Sequence, residues 1–305
     1  MTTATMLPIE LNVPIATWFK VGGGADRFAR PTDADQLRQA LELDPNLKVL
    51  GDGANLLVDD DGIDSLVVTL TGLNQVEWDA STGLLTVGAG VNLPKLITQT
   101  IRDGLAGLEV LGGIPASLGG ALVMNAGGAF GQIADLVERV FALDRSGNAL
   151  TLERSQIDFG YRHSGLNHLL ITGAHLRLTP ATGPGPREKL KEVMAYKKNS
   201  QPMADNSAGC CFKNPTLTHA IEGLGTAGQR VSAGKCIDLA GCKGLRIGTA
   251  SVSPVHGNFL TADTGGKARD VIELIQEVER RVEARFGIKL CREVVVWQRA
   301  STAKS

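Results

Sequence analysis

Gly112-Gly113-Ile114-Pro115-Ala116-Ser117-Leu118-Gly119-Gly120, with Asn125-Ala126-Gly127-Gly128-Ala129-Phe130-Gly131 close behind, is the stretch on which the reading of this chain turns. Nine glycines fall between Gly104 and Gly131. Glycine reaches positive φ and lets a ligand approach bare N–H groups. Successive N–H groups in such turns form anion-binding nests suited to a diphosphate. The competing reading is a set of tight turns with no ligand, and for one short glycine pattern that reading prevails. A second pattern, Gly51-Asp52-Gly53-Ala54-Asn55 after a short β run, tips the balance toward a ligand. Neither is a Walker loop, since no Gly-Lys-Ser/Thr follows, and neither reads as GxGxxG opening a helix. The residues point to a dinucleotide held by a fold other than the doubly wound one.

The same region carries no charge for 25 residues, Val110 to Ala134, which is long enough for a membrane helix. Seven of those residues are Gly, and Pro115, Asn125 and Gln132 interrupt the rest, so a loop system is expected instead. No membrane attachment is expected. The 305 residues amount to about two domains. A composition of 43% hydrophobic and 21% charged residues suits a soluble globular chain rather than a disordered one. Lys plus Arg number 31 against 32 acidic residues, a net charge of −1, which leaves nothing to neutralise a phosphate backbone and argues against nucleic acid. Five cysteines without a CxxC pair or zinc spacing read as reduced thiols. The first twenty residues lack the basic start and apolar run of a signal peptide. A cytoplasmic location is the expectation.

Strand and helix signals alternate along the first 180 residues. Thr32 is the expected N-cap of a helix over 33–43, and Asn92 caps a second helix with Pro94 in its first turn and Gly104 as its stop. Short strands are expected at 48–50, 66–70, 75–78 and 84–87. Runs at 137–143 and 149–152, joined through Arg145-Ser146-Gly147-Asn148, read as a hairpin, and 169–178 as a further strand. The Pro/Gly-rich stretch 179–186 is the expected linker, with a helix over 187–198 beyond it. Further on, a helix over 233–240 precedes a strand at 249–252. A longer helix over 268–286 has Val271, Ile275, Val278, Val282 and Phe286 at helical steps. A last strand is expected over 289–297. The pattern is α+β in two units.

Three side-chain groups could carry chemistry. Cys210 follows Gly209 and lies close to Lys213 and Asn214, a polar turn in which a thiol, mostly protonated at neutral pH with a pKa of ~8.5, could donate a proton. A free cysteine is as often a small buried hydrophobe. Glu293 alternates with Cys291, Val295 and Trp297 on one strand face, where a carboxylate must be paired or functional; an edge strand with a salt bridge remains the alternative. Arg162, in Tyr161-Arg162-His163-Ser164, could bind a carboxylate through two parallel hydrogen bonds. His256 receives no chemical role.

In order along the chain, several segments together resemble the UDP-N-acetylenolpyruvoylglucosamine reductase family. They are Thr17–Gly23 (TWFKVGG), Leu50–Leu57 (LGDGANLL), Gly113–Gly120 (GIPASLGG) with Met124–Gly127 (MNAG), and Phe159–Ser164 (FGYRHS). The likeness continues through Gly209–Pro215 (GCCFKNP), Ala233–Asp238 (AGKCID), His256–Phe259 (HGNF) and Arg292–Val294 (REV). The resemblance implies an α+β chain: an FAD-binding domain of the vanillyl-alcohol-oxidase (PCMH) type over 1–183, and a smaller α+β substrate-binding domain over 187–305. The last strand, 289–297, would return to the active site. It implies NADPH-dependent, FAD-mediated reduction of UDP-N-acetylglucosamine enolpyruvate to UDP-N-acetylmuramate, for peptidoglycan precursors, by a monomer. The alternative is another FAD-linked oxidoreductase of the same fold acting on a sugar or alcohol.

By motif match the resemblance assigns FAD contacts to Gly51, Gly53, Ala54, Asn55, Leu56, Gly113, Ile114, Pro115, Ser117, Gly119, Gly120, Asn125, Ala126 and Gly127. It gives Arg162 and Glu293 the task of stabilising an enolate-like intermediate, and places Lys213 and Asn214 near the nucleotide diphosphate. No metal is implied. The family's proton donor is usually a serine where this chain has Cys210, a more acidic group that can also be oxidised. Cys211 is expected to pack. Only 47 residues separate Arg162 from Cys210, too few for an inserted tyrosine-bearing loop, so the chain resembles the subtype without it.

Overall fold

The computed structural model describes residues 6–79, 81–202 and 205–299. Two compact units emerge, and neither is one contiguous piece. The first comprises 1–13, 25–52 and 64–197, and the second 14–24, 53–63 and 198–305. This differs from a single cut at the Pro/Gly-rich stretch: Thr179–Pro180 pairs with Leu105–Ala106, and helix already begins at Gly185.

The first unit holds a four-stranded sheet in the order Ile9–Pro14, Gly24–Ala29, Ile63–Thr69, Lys48–Leu50, and a five-stranded antiparallel sheet. The order of the latter is Ala149–Glu153, Val137–Leu143, Leu170–Arg177, Leu84–Gly88, Val76–Asp79. The expected hairpin is present, with Arg139 opposite Glu153 and Leu143 opposite Ala149. Its turn closes because the Asp144 carboxylate accepts from the amides of Ser146 and Asn148 while Gly147 takes φ +83°.

Helix α1 (Ala34–Leu43) buries Leu37, Ala40 and Leu41, the stripe its periodicity marks. Its cap is Asp33, not Thr32: the Asp33 carboxylate accepts from Gln36 N at 2.8 Å, and the Thr32 hydroxyl turns to Gln36 Oε1. Helix α2 (Leu93–Arg102) starts as expected, with Asn92 Oδ1 accepting from Lys95 N at 3.1 Å. Apolar side chains from both sheets and helices join in one core. The uncharged 110–134 stretch breaks into a 3₁₀ turn at Leu108–Leu111, the short helix α3 (Leu118–Val123) and a pairing of 127–128 with 131–132. Among the described residues no helix is long and apolar enough to cross a membrane. Helix α4 (Gly185–Ser200) ends this unit.

The second unit has its own core around α5 (Ala233–Leu239), α6 (Ala268–Phe286) and a three-stranded sheet of Arg246–Ile247, Ala250–Val252 and Leu260–Ala262. Helix α6 buries Val271, Ile275, Val278 and Val282, and Gly287 closes it at φ +68°. The final strand is shorter than expected. Only Val295–Trp297 forms a ladder, parallel to Leu56–Val58, because residues 291–294 hydrogen-bond another segment.

The start of α6 lacks a cap of its own, Lys267 making no side-chain cap bond. Asp60, more than two hundred residues earlier, accepts from Ala268 N at 2.9 Å and Arg269 N at 3.1 Å. A carboxylate on a helix N-terminus satisfies orphan donors and opposes the helix dipole. Asp60→Ala should therefore lower stability by about 1 kcal/mol, seen as a lower denaturant midpoint; an unchanged midpoint would remove this cap from the account of the fold.

Candidate active site

The expected site residues fall in both units, and each set is described within its own. In the first unit, Ser117 caps α3 through Oγ, which accepts from Gly120 N at 3.3 Å. The amides at the helix start are not bare. Leu118 N donates to Val91 O, and Gly119 N donates to Ala89 O. Gly119 is needed for close packing, since a Cβ there would lie 3.1 Å from Ala89 Cβ. Among the described residues, the amides of Gly51, Asp52, Gly113, Ala116 and Ser117 donate to no protein acceptor. Open amides suit an anionic pyrophosphate, so these residues fit FAD; the one carboxylate among them, that of Asp52, accepts from Asn92 Nδ2 at 2.8 Å. Ile114 and Pro115 sit between those amides, half-buried.

Asn125, expected to touch cofactor, faces inward. It is 1% exposed, at φ +43°. Its Nδ2 donates to Gln132 Oε1 at 3.0 Å and Gly160 O at 2.8 Å, and its Oδ1 accepts from Ala134 N at 3.3 Å. Ala126 is buried, and a Cβ on Gly127 would collide with Gln132. Thus 125–127 frames the loop. It also holds the turn that bears Arg162: Gly160 and His163 exchange backbone hydrogen bonds of 2.9 and 3.2 Å, and Ser164 Oγ donates to Val123 O at 2.7 Å. Arg162 occupies that turn at φ +53°, a left-handed conformation costly for a side-chain-bearing residue and most often retained at functional positions.

One residue beside this loop carries no signal in the sequence. Lys197, in the last turn of α4, lies against Gly113: a Cβ on that glycine, itself at φ +69°, would meet Met194 Sδ at 3.0 Å, Lys197 Cδ at 3.1 Å and Lys197 Nζ at 3.6 Å. Among the described residues the Lys197 ammonium meets no carboxylate. Burial first, and repulsion by Arg162 second, push it down to about 8 from 10.5. Its position in an ordinary basic helix gave no signal.

The second unit gathers Cys210, Lys213, Asn214 and Glu293. Asn258, 2% exposed, reads both backbone groups of Phe212: Phe212 N donates to Asn258 Oδ1 at 2.9 Å, and Asn258 Nδ2 donates to Phe212 O at 2.8 Å. Cys211 N donates to Asn258 O at 2.9 Å, and Cys210 bridges to Phe259. On the other edge, Glu293 N donates to Cys211 O and Lys213 N to Cys291 O, both at 2.8 Å. These bonds are what delay the start of the expected long strand. Cys210 is half-buried; Cys211 is fully buried, as packing requires, and its thiol is pushed up to about 12, mainly by burial.

Arg292 pairs with Glu279 at 2.6 and 2.7 Å. Glu293 is held from a third side, where Asn55 Nδ2 donates to Glu293 O at 2.9 Å and Val295 N to Asn55 O at 3.0 Å. Gly53 takes φ +65°, and a Cβ there would lie 2.3 Å from Ala16 O. Ala54 is half-buried, and Leu56 is buried in the strand that pairs with 295–297. The Asn214 oxygen accepts from Ala233 N at 2.9 Å at the start of α5. His256 accepts from Asn258 N through Nδ1 at 3.2 Å, and burial lowers its pKa, consistent with a neutral packing ring.

Residues 201–297 match the family model for the UDP-N-acetylenolpyruvoylglucosamine reductase C-terminal domain, and 25–153 match an FAD binding domain. A UDP-N-acetylenolpyruvoylglucosamine reductase of Synechococcus sp. (strain CC9605) is 38% identical over 290 residues, covering 91% of this chain and 91% of the relative. One of Moorella thermoacetica is 37% identical over 302 residues, 97% of this chain and 95% of the relative. The crystal structure of UDP-N-acetylenolpyruvylglucosamine reductase from Thermus caldophilus superposes with a TM-score of 0.76 at 35% identity, covering 95% of this chain and 98% of that one.

An ammonium held partly out of water, and beside another cation, should cost stability. The unfolded chain titrates Lys197 near 10.5 and the folded chain at about 8. Below pH 8 both states are charged and the fold bears the full penalty, which fades as pH rises from about 8 to 10.5. Lys197→Met should thus raise the thermal midpoint at pH 7, by an amount that shrinks toward zero across that window. A lower midpoint at pH 7 would contradict this penalty.

Proposed function

The chain belongs to the UDP-N-acetylenolpyruvoylglucosamine reductase family, and from that premise we propose how its own residues divide the reaction. The activity is FAD-dependent reduction of UDP-N-acetylglucosamine enolpyruvate to UDP-N-acetylmuramate, in peptidoglycan precursor synthesis, with NADPH as reductant. FAD, when bound, would supply the hydride chemistry that links NADPH to the methylene carbon of the enolpyruvyl ether. The unengaged amides at 51–52, 113 and 116–117 hold the cofactor's pyrophosphate, with 53–56 and 125–127 shaping the loops around it. In function the chain divides near 183–187, with cofactor binding before and, Arg162 apart, substrate binding after, and the enzyme works as a cytoplasmic monomer.

Arg162 takes the substrate carboxylate in a bidentate grip, its guanidinium matched to a planar anion. Lys213 and Asn214 serve the nucleotide diphosphate. Glu293 stabilises the enol form of the intermediate, and Cys210 Sγ–H protonates the carbon next to the one that received the hydride. The observation that carries this reading is the double clamp on 210–213. Asn258 on one edge and the 291–294 backbone on the other hold a half-buried thiol and a carboxylate on adjoining segments. Such rigidity is what general-acid catalysis needs.

Anaerobic half-reactions test the assignment. NADPH should bleach the yellow holoenzyme, and the enolpyruvyl nucleotide should restore its colour. Cys210→Ser should keep much of the second step, whereas Cys210→Ala should slow it about 100-fold or more and leave bleaching intact. Glu293→Gln should follow the alanine variant. Equal loss of both steps in Cys210→Ala would rule out a proton donor at this position, and full turnover in Glu293→Gln would leave that carboxylate a purely structural part.

A further inference from the structure

Gly51, Asp52, Gly113, Ala116 and Ser117 leave their amides open, and of these only Asp52 has an ionisable side chain. The fold packs its turn against the 116–117 loop. A Cβ on Gly51 would lie 2.9 Å from Ser117 Oγ, Asn92 forms a β-bridge with Ser117, and Leu93 N donates to Ala116 O at 2.8 Å. From that bridge Asn92 reaches the acid, its Nδ2 donating to Asp52 Oδ2 at 2.8 Å. The amide cannot turn over without loss, because Asn92 Oδ1 is committed to Lys95 N at the start of α2. Among the described residues the other carboxyl oxygen, Asp52 Oδ1, receives no hydrogen bond. A carboxyl is therefore fixed by one oxygen beside amides that suit an anion.

A carboxylate and a pyrophosphate repel each other in one site, and the weaker acid of the two takes the proton. That acid is the carboxyl. The Asn92 donor serves either form, since a protonated carboxyl still accepts through its carbonyl oxygen while its hydroxyl donates. We propose that Asp52 is a further cofactor-binding residue that holds FAD as a neutral acid, Oδ2 keeping the Asn92 bond and Oδ1–H donating to a pyrophosphate oxygen. The inference rests on the cofactor assigned above and adds a residue to those that hold it. Without ligand the carboxyl is already biased toward this form: burial raises its pKa against the Asn92 hydrogen bond and the attraction of Lys95. Lys95 is the charged group facing it from α2, and the 116–117 loop carries no charged side chain. Binding FAD then takes up a proton. Affinity falls as pH rises from the carboxyl's pKa in the free protein to its higher pKa in the complex, and levels off beyond.

The test dilutes FAD-loaded enzyme at pH values from about 5 to about 9 and reads released flavin by its fluorescence. The wild-type dissociation constant should rise with pH, by about tenfold per unit inside the window and no more steeply. Asp52→Asn keeps the shape and can donate through Nδ2. It should show no such rise and hold FAD about tenfold or more tighter than wild type at the upper end. Asp52→Ala should be equally flat but weaker than Asp52→Asn, having lost the donor. In lightly buffered solution, flavin release from wild type should free about one proton per FAD, a reading that needs no variant. A wild-type constant that is flat over this range, release without acid, or a wild-type slope in Asp52→Asn would each overturn the proposal. So would an Asp52→Asn enzyme that loses FAD more readily than wild type at high pH, which would make the ionised carboxylate an acceptor for a cofactor hydroxyl. If the wild-type chain retains no FAD at any pH, the cofactor assignment itself fails, and this inference with it.

Discussion

Two hydrogen bonds from one buried amide, Asn258 to the N–H and C=O of Phe212, set the constraint on which the second unit's chemistry depends. A loop carrying a reactive group must bury part of its backbone, and every buried N–H and C=O needs a partner. Here the partner on one edge is a side chain imitating a strand. On the other edge it is the backbone of 291–294, so the thiol and the carboxylate inherit their positions from the same few bonds. Asn55 extends the arrangement by fixing the Glu293 carbonyl. Asparagine suits both tasks because its amide offers a donor and an acceptor in one plane.

The first unit accepts unfavourable features to hold its own reactive groups. Arg162 and Asn125 both sit in the left-handed region, and Lys197 keeps an ammonium half-buried near a guanidinium. A left-handed conformation costs the fold on the order of 1–3 kcal/mol when imposed on an ordinary residue. These features cluster around the turn at 160–163 and the loop at 112–117. Sites built to receive charge are unstable when empty, and ligand binding recovers what folding gave up.

Periodicity and capping chemistry made most of the architecture readable: the hairpin at 137–153, the stripe of α6 and the Asn92 cap all stand where their residues indicate. What failed were boundaries decided by distant partners. Thr32 and Asp33 are both good caps, and only the position of Gln36 chooses between them. The strand at 289–297 has fine β-propensity throughout, yet its first half is claimed by 211–213. The proline-rich stretch looked like a linker because composition marks turns, not the assignment of a helix to one core. Cys210, Glu293 and Arg162 were visible because the residue types are chemically loud. Lys197 was not, since its surroundings are supplied by glycines eighty residues away, and Asn258 passed as an ordinary loop residue until its burial was known.

The pairing of Leu56–Val58 with Val295–Trp297 has a consequence for how the chain is made. Asn55 and Glu293, which grip each other, are 238 residues apart. On the ribosome the early segment emerges long before its partner, and must wait, with its hydrophobic strand unpaired, until residues 295–297 have been translated. The first unit can begin to condense meanwhile. Chaperone binding, or a nascent-chain hold on residues 53–63, would thus fall in the interval between those two events.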